Sequence, residues 1–203
     1  MFMRSMLLAF AVLASTAMAD GVSSDPKQAP TGRYALETGH SQVLFAISHE
    51  GLTEYYGRFD RLSGTLDFDS AEPARSAVSV AIDMTSVDVP SQALTETLAG
   101  DTVFDAKDFP TATFKSTSIV RTGPTTGKIT GDLTIKNVTK PVSFDASFEG
   151  GRPNPLSDSY ALGFHAGFTI KRSDFGITGM RWEPFVGDDV TLTIEAMFVQ
   201  QKG

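Results

Sequence analysis

The stretch ALGFHAGFTIKRSDFGI, Ala161 to Ile177, decides how the rest of the chain is read. Its first ten residues alternate. Leu162, Phe164, Ala166, Phe168 and Ile170 fall on one face, with Gly163, His165, Gly167 and Thr169 on the other. A period of two is the spacing of a strand with one buried face. The alternation stops at Lys171 and Arg172, which mark the chain's emergence from the interior. Asp174-Phe175-Gly176 then matches a tripeptide that holds magnesium in protein kinases. No Gly-rich phosphate loop precedes it and no His-Arg-Asp catalytic loop exists, so the match has no supporting context. The segment reads as an end-closure. Ser173 or Asp174 is expected to cap a short turn, Phe175 to plug it, and Gly176 to supply a backbone conformation that other residues resist.

The same alternation recurs along the chain. VLFAISH sets Val43, Phe45, Ile47 and His49 on one face, and AVSVAIDM does so with Val78, Val80, Ile82 and Met84. VSFDASFE aligns Val142, Phe144, Ala146 and Phe148, and DVTLTIEAMF aligns Val190, Leu192, Ile194, Ala196 and Phe198. Weaker strands are expected at Tyr55 to Leu62, Thr65 to Asp69, Ala112 to Arg121 and Lys128 to Lys136. One segment differs: PSQALTETLAG carries an N-cap candidate, Ser91, apolar Leu94 and Leu98 four apart, and a stop at Gly100. It predicts a short helix crossing one end of the sheet. Eight or nine antiparallel strands with one buried face make an all-β sandwich or a closed barrel. Small residues, Gly131, Ala146, Ala166, Ala196 and Ser116, interrupt the apolar rows. They either interdigitate with large partners or, if they share a level, leave room inside a barrel.

The chain is 203 residues long with a formal charge of −7. Arg4, the apolar run LLAFAVLA (Leu7 to Ala14) and Ala17-Met18-Ala19 form the pattern of a cleaved secretory signal over residues 1–19. The run is too short to span a bilayer. Export to the periplasm is therefore expected, with a flexible leader over 20–33 (DGVSSDPKQAPTG and Arg33) and one domain over 34–203. There is no cysteine, which excludes disulfides, thiolate metal sites, a covalently held c-type haem and a Cys-anchored lipoprotein. The acidic balance argues against nucleic acid as a partner.

The three histidines, His40, His49 and His165, share no ligand-type spacing, so no metal site is expected. No G-x-S-x-G elbow presents a nucleophile, so no catalytic residue is assigned. Asn137-Val138-Thr139 matches a glycosylation sequon too common to carry weight. Lys136, Lys140, Lys171, Arg172 and Arg181 near strand ends are either ordinary surface charge or a rim that meets a polar head group.

The motifs HSQVLFAISHEGL, GRFDRLSGTLDFD, IDMTSVDV, LAGDTVFDAKDFPTATFKS, GDLTIKNVTKPVSF, GF…IKRSDFGI and VGDDVTLTIEA follow one another in order. In this the sequence resembles the YceI-like, polyisoprenoid-binding family of exported bacterial proteins, from about Tyr34 to Gln200. Departures are Asn137 in the turn after Thr134-Ile135-Lys136 and His165 inside the late strand. The resemblance implies an extended, lipocalin-like antiparallel barrel of about eight strands with one helix, and homodimers. It also implies a long apolar tunnel for an isoprenoid or other amphiphilic lipid, such as an isoprenoid quinone. The tunnel is then expected to be lined by Phe45, Ile47, Phe59, Val80, Ile82, Phe114, Leu133, Phe144, Phe164, Phe168 and Ile194. Trp182 is expected at a mouth, its ring apolar and its N–H wet. His49 and Arg172 are the expected head-group contacts. No cofactor beyond a bound lipid is implied. The function so read is non-enzymatic carriage, storage or stress protection. Two alternatives are an enzyme acting on a lipid-like substrate with His49 or His165 as base, and a periplasmic adaptor to a membrane redox protein.

Overall fold

A computed structural model describes residues 21–202. The signal segment 1–19 lies outside the described residues. The strands are β1 (Gly32–Leu36), β2 (Gln42–His49), β3 (Thr53–Phe59), β4 (Leu62–Phe68), β5 (Ala77–Asp83), β6 (Val87–Asp88), β7 (Thr111–Arg121), β8 (Thr126–Ile135), β9 (Val138–Pro153), β10 (Tyr160–Lys171) and β11 (Val186–Gln200). Helix α1 (Gln92–Ala99) lies between β6 and β7. Eight strands close a ring in the order β1-β4-β5-β7-β8-β9-β10-β11, sealed by β1 on β11 with Tyr34 opposite Gln200. Every pairing is antiparallel. A closed ring buries the alternating apolar rows on its inside and leaves no long edge in water.

The long strand β11 serves two partners. It pairs with β2 from Val186 to Glu195, then with β1 from Phe198 to Gln200. The chain jumps between them through a 3₁₀ turn at Thr38–His40. Buried Ser41 spans the jump: its hydroxyl donates to Glu37 O at 2.7 Å and accepts from Met197 N–H at 3.0 Å. A second break lies where one strand, Tyr55 to Leu62, was expected. β3 ends at Phe59 and β4 starts at Leu62 because Asp60 N–H and Arg61 N–H turn to Ser86, one to its carbonyl and one to its hydroxyl. β3 continues onto β6, so β2, β3 and β6 extend one end of the barrel.

Helix α1 sits at that end. The Ser91 hydroxyl accepts from Leu94 N–H, and Gly100 N–H closes the last turn on Glu96 O and Thr97 O. Leu94 and Leu98 pack onto the core.

The segment expected to be a flexible leader is pinned to the opposite end. Ser23 and Gly151 exchange two backbone hydrogen bonds, at 2.8 and 2.9 Å. Asp25 caps a turn at Pro26–Gln28, and Ala29 joins the buried core. The Tyr34 hydroxyl donates to Pro30 O at 2.6 Å, and the ring is wholly buried, which pushes the phenol up to about 12. These anchors are non-local, so composition alone could not show them.

Candidate ligand-binding lumen

The inward rows leave space along the barrel axis. Two chambers, of about 210 and 560 Å³, share Val43, Ile82, Leu133 and Leu192 as a common waist. Together they fall in the ~300–1,000 Å³ range of small-molecule sites. The strands run through both in a consistent sense. On β10, Phe164, Ala166 and Phe168 line the smaller chamber, whereas Ile170 and the following Arg172 line the larger. On β2, Phe45, Ile47 and His49 lead from the waist to the mouth of the larger chamber.

Small residues open the smaller chamber in one row. Gly127, Ala146 and Ala166 are directly paired across β8, β9 and β10, all facing inward. Ala196 pairs with Phe164, one layer further along. Gly131 serves another end: a Cβ there would stand 2.4 Å from Lys115 O and 2.5 Å from the tip of Phe114, so its space is taken by the neighbouring backbone and that ring. Ser116 turns its hydroxyl to Val78 N–H at 2.9 Å and ties β7 to β5. The room thus comes from part of the small-residue set, and the rest packs. Phe114, Phe144 and Phe168 form an aromatic wall, the last two stacked at 4.5 Å and 11°.

Val80, Phe114, Phe144, Phe164, Phe168 and Ile194 lie on the smaller chamber, Phe45, Ile47, Phe59 and Trp182 on the larger, and Ile82 and Leu133 on both. Sequence reasoning missed Leu66 and Phe68, whose alternation in LSGTLDF was the available signal. It also missed Leu94, Leu98 and Phe104, which the helix and the following loop bring over the larger chamber. No strand period marks those three.

The charged and polar residues on the larger chamber's wall are His49, Glu50, Thr53 and Arg172, while Ser76, Arg121, Thr125, Thr126 and Ser147 border the smaller one. His49 is exposed at the mouth. Arg172 is only 7% exposed. Its Nε donates to Gly187 O at 2.9 Å, and its Nη1 donates to Ile177 O at 2.8 Å and to Glu183 Oε1 at 3.1 Å. Lys171 leaves the barrel as expected and pairs with Asp189, while Arg172 turns inward as a clamp on the loop that follows. The hydrogen bond from Arg172, then that from Gly179 N–H, holds the Glu183 carboxyl below its usual range. Phe175 is buried on the chamber wall and Gly176 is left-handed at φ 71°, both as the sequence predicts. The cap differs. Neither Ser173 nor Asp174 caps the turn Arg172–Phe175. Asp188 instead accepts from both the N–H and the hydroxyl of Ser173, which lowers its pKa.

The remaining candidates lie elsewhere. His165 borders the smaller chamber, but its half-exposed side chain alternates with inward Phe164 and Ala166, with its Nδ1 2.7 Å from Glu195 Oε1. His40 sits in the 3₁₀ turn beside Glu37, at 2.6 Å. Lys136 reaches back to Val103 O at 3.3 Å. Among the described residues, no group of three or more His, Asp or Glu side chains is arranged to hold a metal.

A closed antiparallel barrel whose axis holds two adjoining, mainly apolar chambers, each with a few polar residues in its lining, defines an enclosing barrel of the lipocalin-like kind. The chain belongs to the YceI-like family, whose domain model matches residues 34–198. It is 39% identical over 153 residues to a UPF0312 protein of Ectopseudomonas mendocina, covering 74% of this chain and 80% of that protein. A Campylobacter jejuni YCEI protein is 31% identical, with a TM-score of 0.67 over 74% of this chain and 88% of the other. BcnA of Burkholderia cenocepacia is 27% identical, with a TM-score of 0.71 over 80% and 98%. A polyisoprenoid binding domain from Saccharophagus degradans shares the fold at 16% identity, with a TM-score of 0.66 over 83% and 98%.

Proposed function

We propose that this protein holds a polyisoprenoid or similar long-chain amphiphilic lipid in its lumen, without transforming it, for carriage, storage or protection in the periplasm. One observation carries the reading: two mainly apolar chambers adjoin along the barrel axis, sharing Val43, Ile82, Leu133 and Leu192, the larger with His49, Glu50 and Arg172 in its lining and the smaller with an aromatic wall. Burial of each CH₂ contributes about 0.8 kcal/mol, so a chain filling both chambers binds through apolar contact with few polar groups. The tail belongs in the smaller chamber and the head at the mouth. The fold shared with a protein described as polyisoprenoid binding agrees with this ligand class. Mass spectrometry of an organic extract of the purified protein tests the reading. A long-chain isoprenoid or related lipid is expected, and a protein that carries no lipid and takes up none would overturn it.

A further inference from the structure

The smaller chamber does not end on strands alone. Its far wall is built from the β7–β8 turn (Arg121 to Thr126), Pro73 and Ser76 ahead of β5, and Pro26 of the N-terminal segment. The first two groups are continuous with barrel strands at both ends. The third is a terminal segment laid across the opening. Its hold is specific: the paired backbone bonds of Ser23 with Gly151, Val22 packed over Gly150, and Ala29 in the core cluster of Phe68, Phe148 and Phe198. Gly150 has φ 149°, and a Cβ there would stand 2.5 Å from Val22 Cγ1, so the barrel surface is shaped to receive the segment. A segment that precedes the first barrel strand and is secured by few bonds is the part of a wall that yields first.

We infer that Pro26, held across the opening by the anchored segment 22–29, completes the end wall of the tail chamber and sets the longest chain the lumen accepts. This rests on the lumen holding a lipid chain. Affinity rises roughly fourfold for each CH₂ buried and stops rising when the chain end meets the wall. The position of that break measures the wall.

The test uses the full chain, straight-chain alcohols of increasing length as probes, and fluorescence of Trp182, the single tryptophan, which lines the larger chamber. Ser23→Pro removes the N–H that bonds Gly151 O, and Pro26→Gly thins the wall. Both are expected to move the break to longer alcohols. Pro26→Phe thickens the wall, keeps Trp182 the single tryptophan and is expected to move the break to shorter alcohols, so a failure of Ser23→Pro to fold leaves two variants that decide. Circular dichroism confirms the barrel in each. A break at the same length in every folded variant overturns the inference while leaving the lumen reading intact. An unmodified protein that binds no alcohol of any length removes the lumen reading itself.

Discussion

Arg172 shows how a residue can be legible in position and illegible in role. Its place at the end of an alternating strand followed from the sequence. Its partners did not, because Gly187 O, Ile177 O and Glu183 come from a loop and a strand that the fold brings back. A guanidinium this buried, spent on two carbonyls and a carboxylate, is first of all a structural clamp. Arg172→Ala leaves those acceptors without donors and is expected to cost about 2 kcal/mol or more. Chemical denaturation measures this, and an unchanged midpoint would show that the clamp carries nothing. The carboxylates of the same loop make stability depend on pH. Folded Glu183 and Asp188 have pKa values lowered by hydrogen bonds from Arg172 and from Ser173. Their contribution is therefore complete above the unfolded values, roughly 4.3 and 3.9. It is lost as pH falls through the lower folded values. Melting temperatures of Glu183→Gln and Asp188→Asn across the acid range should fall less steeply than those of the unaltered protein. Parallel acid limbs would exclude these two groups.

At the scale of elements, the strong strands were readable because one buried face imposes a period of two. Helix α1 was readable because its start and stop are local: Ser91 and Gly100 sit where the sequence places them. Three features were not readable, and each depends on distant partners. The division of β11 between β1 and β2 rests on Ser41 contacting Met197. The break between β3 and β4 rests on Ser86. The N-terminal segment rests on Gly151. Two strand glycines, Gly57 and Gly131, stand where a phenylalanine ring crosses the backbone. Gly57 is such a place, opposite Phe45 on β2. A Cβ there would stand 2.2 Å from Phe45 Cζ and 2.6 Å from Val89 Cγ1. Gly57→Ala therefore forces the ring aside and is expected to destabilise by about 1–3 kcal/mol. Phe45→Leu shortens the obstructing side chain, so the double variant should lose less than the sum of the single losses. Strict additivity in a denaturation cycle would mean that the ring is not the obstacle.

For the whole molecule, the central question is whether the smaller chamber is occupied by ligand or is a packing residue of the barrel's geometry. Its row of Gly127, Ala146 and Ala166 opens space that larger side chains would fill at a gain in buried apolar area. A barrel selected for stability alone would close it, since unfilled volume forfeits contacts. Leaving it open is consistent with a ligand that supplies the missing contacts. Ala166→Trp tests this directly. The indole would project from the middle of β10 into a chamber of about 210 Å³, taking the place of the tail's last carbons. Loss of two or three buried CH₂ groups corresponds to about 2 kcal/mol, or roughly 30-fold in affinity for a long-chain lipid. Gly167→Ala, one residue on and facing outward with only ordinary contact to Leu192 O at 3.6 Å, should bind as the unaltered protein does. Titration of a long prenol into both variants, with melting curves to show that each is folded, reads the result. Undiminished binding in a folded Ala166→Trp protein would place the chain outside the smaller chamber and confine the ligand to the larger one.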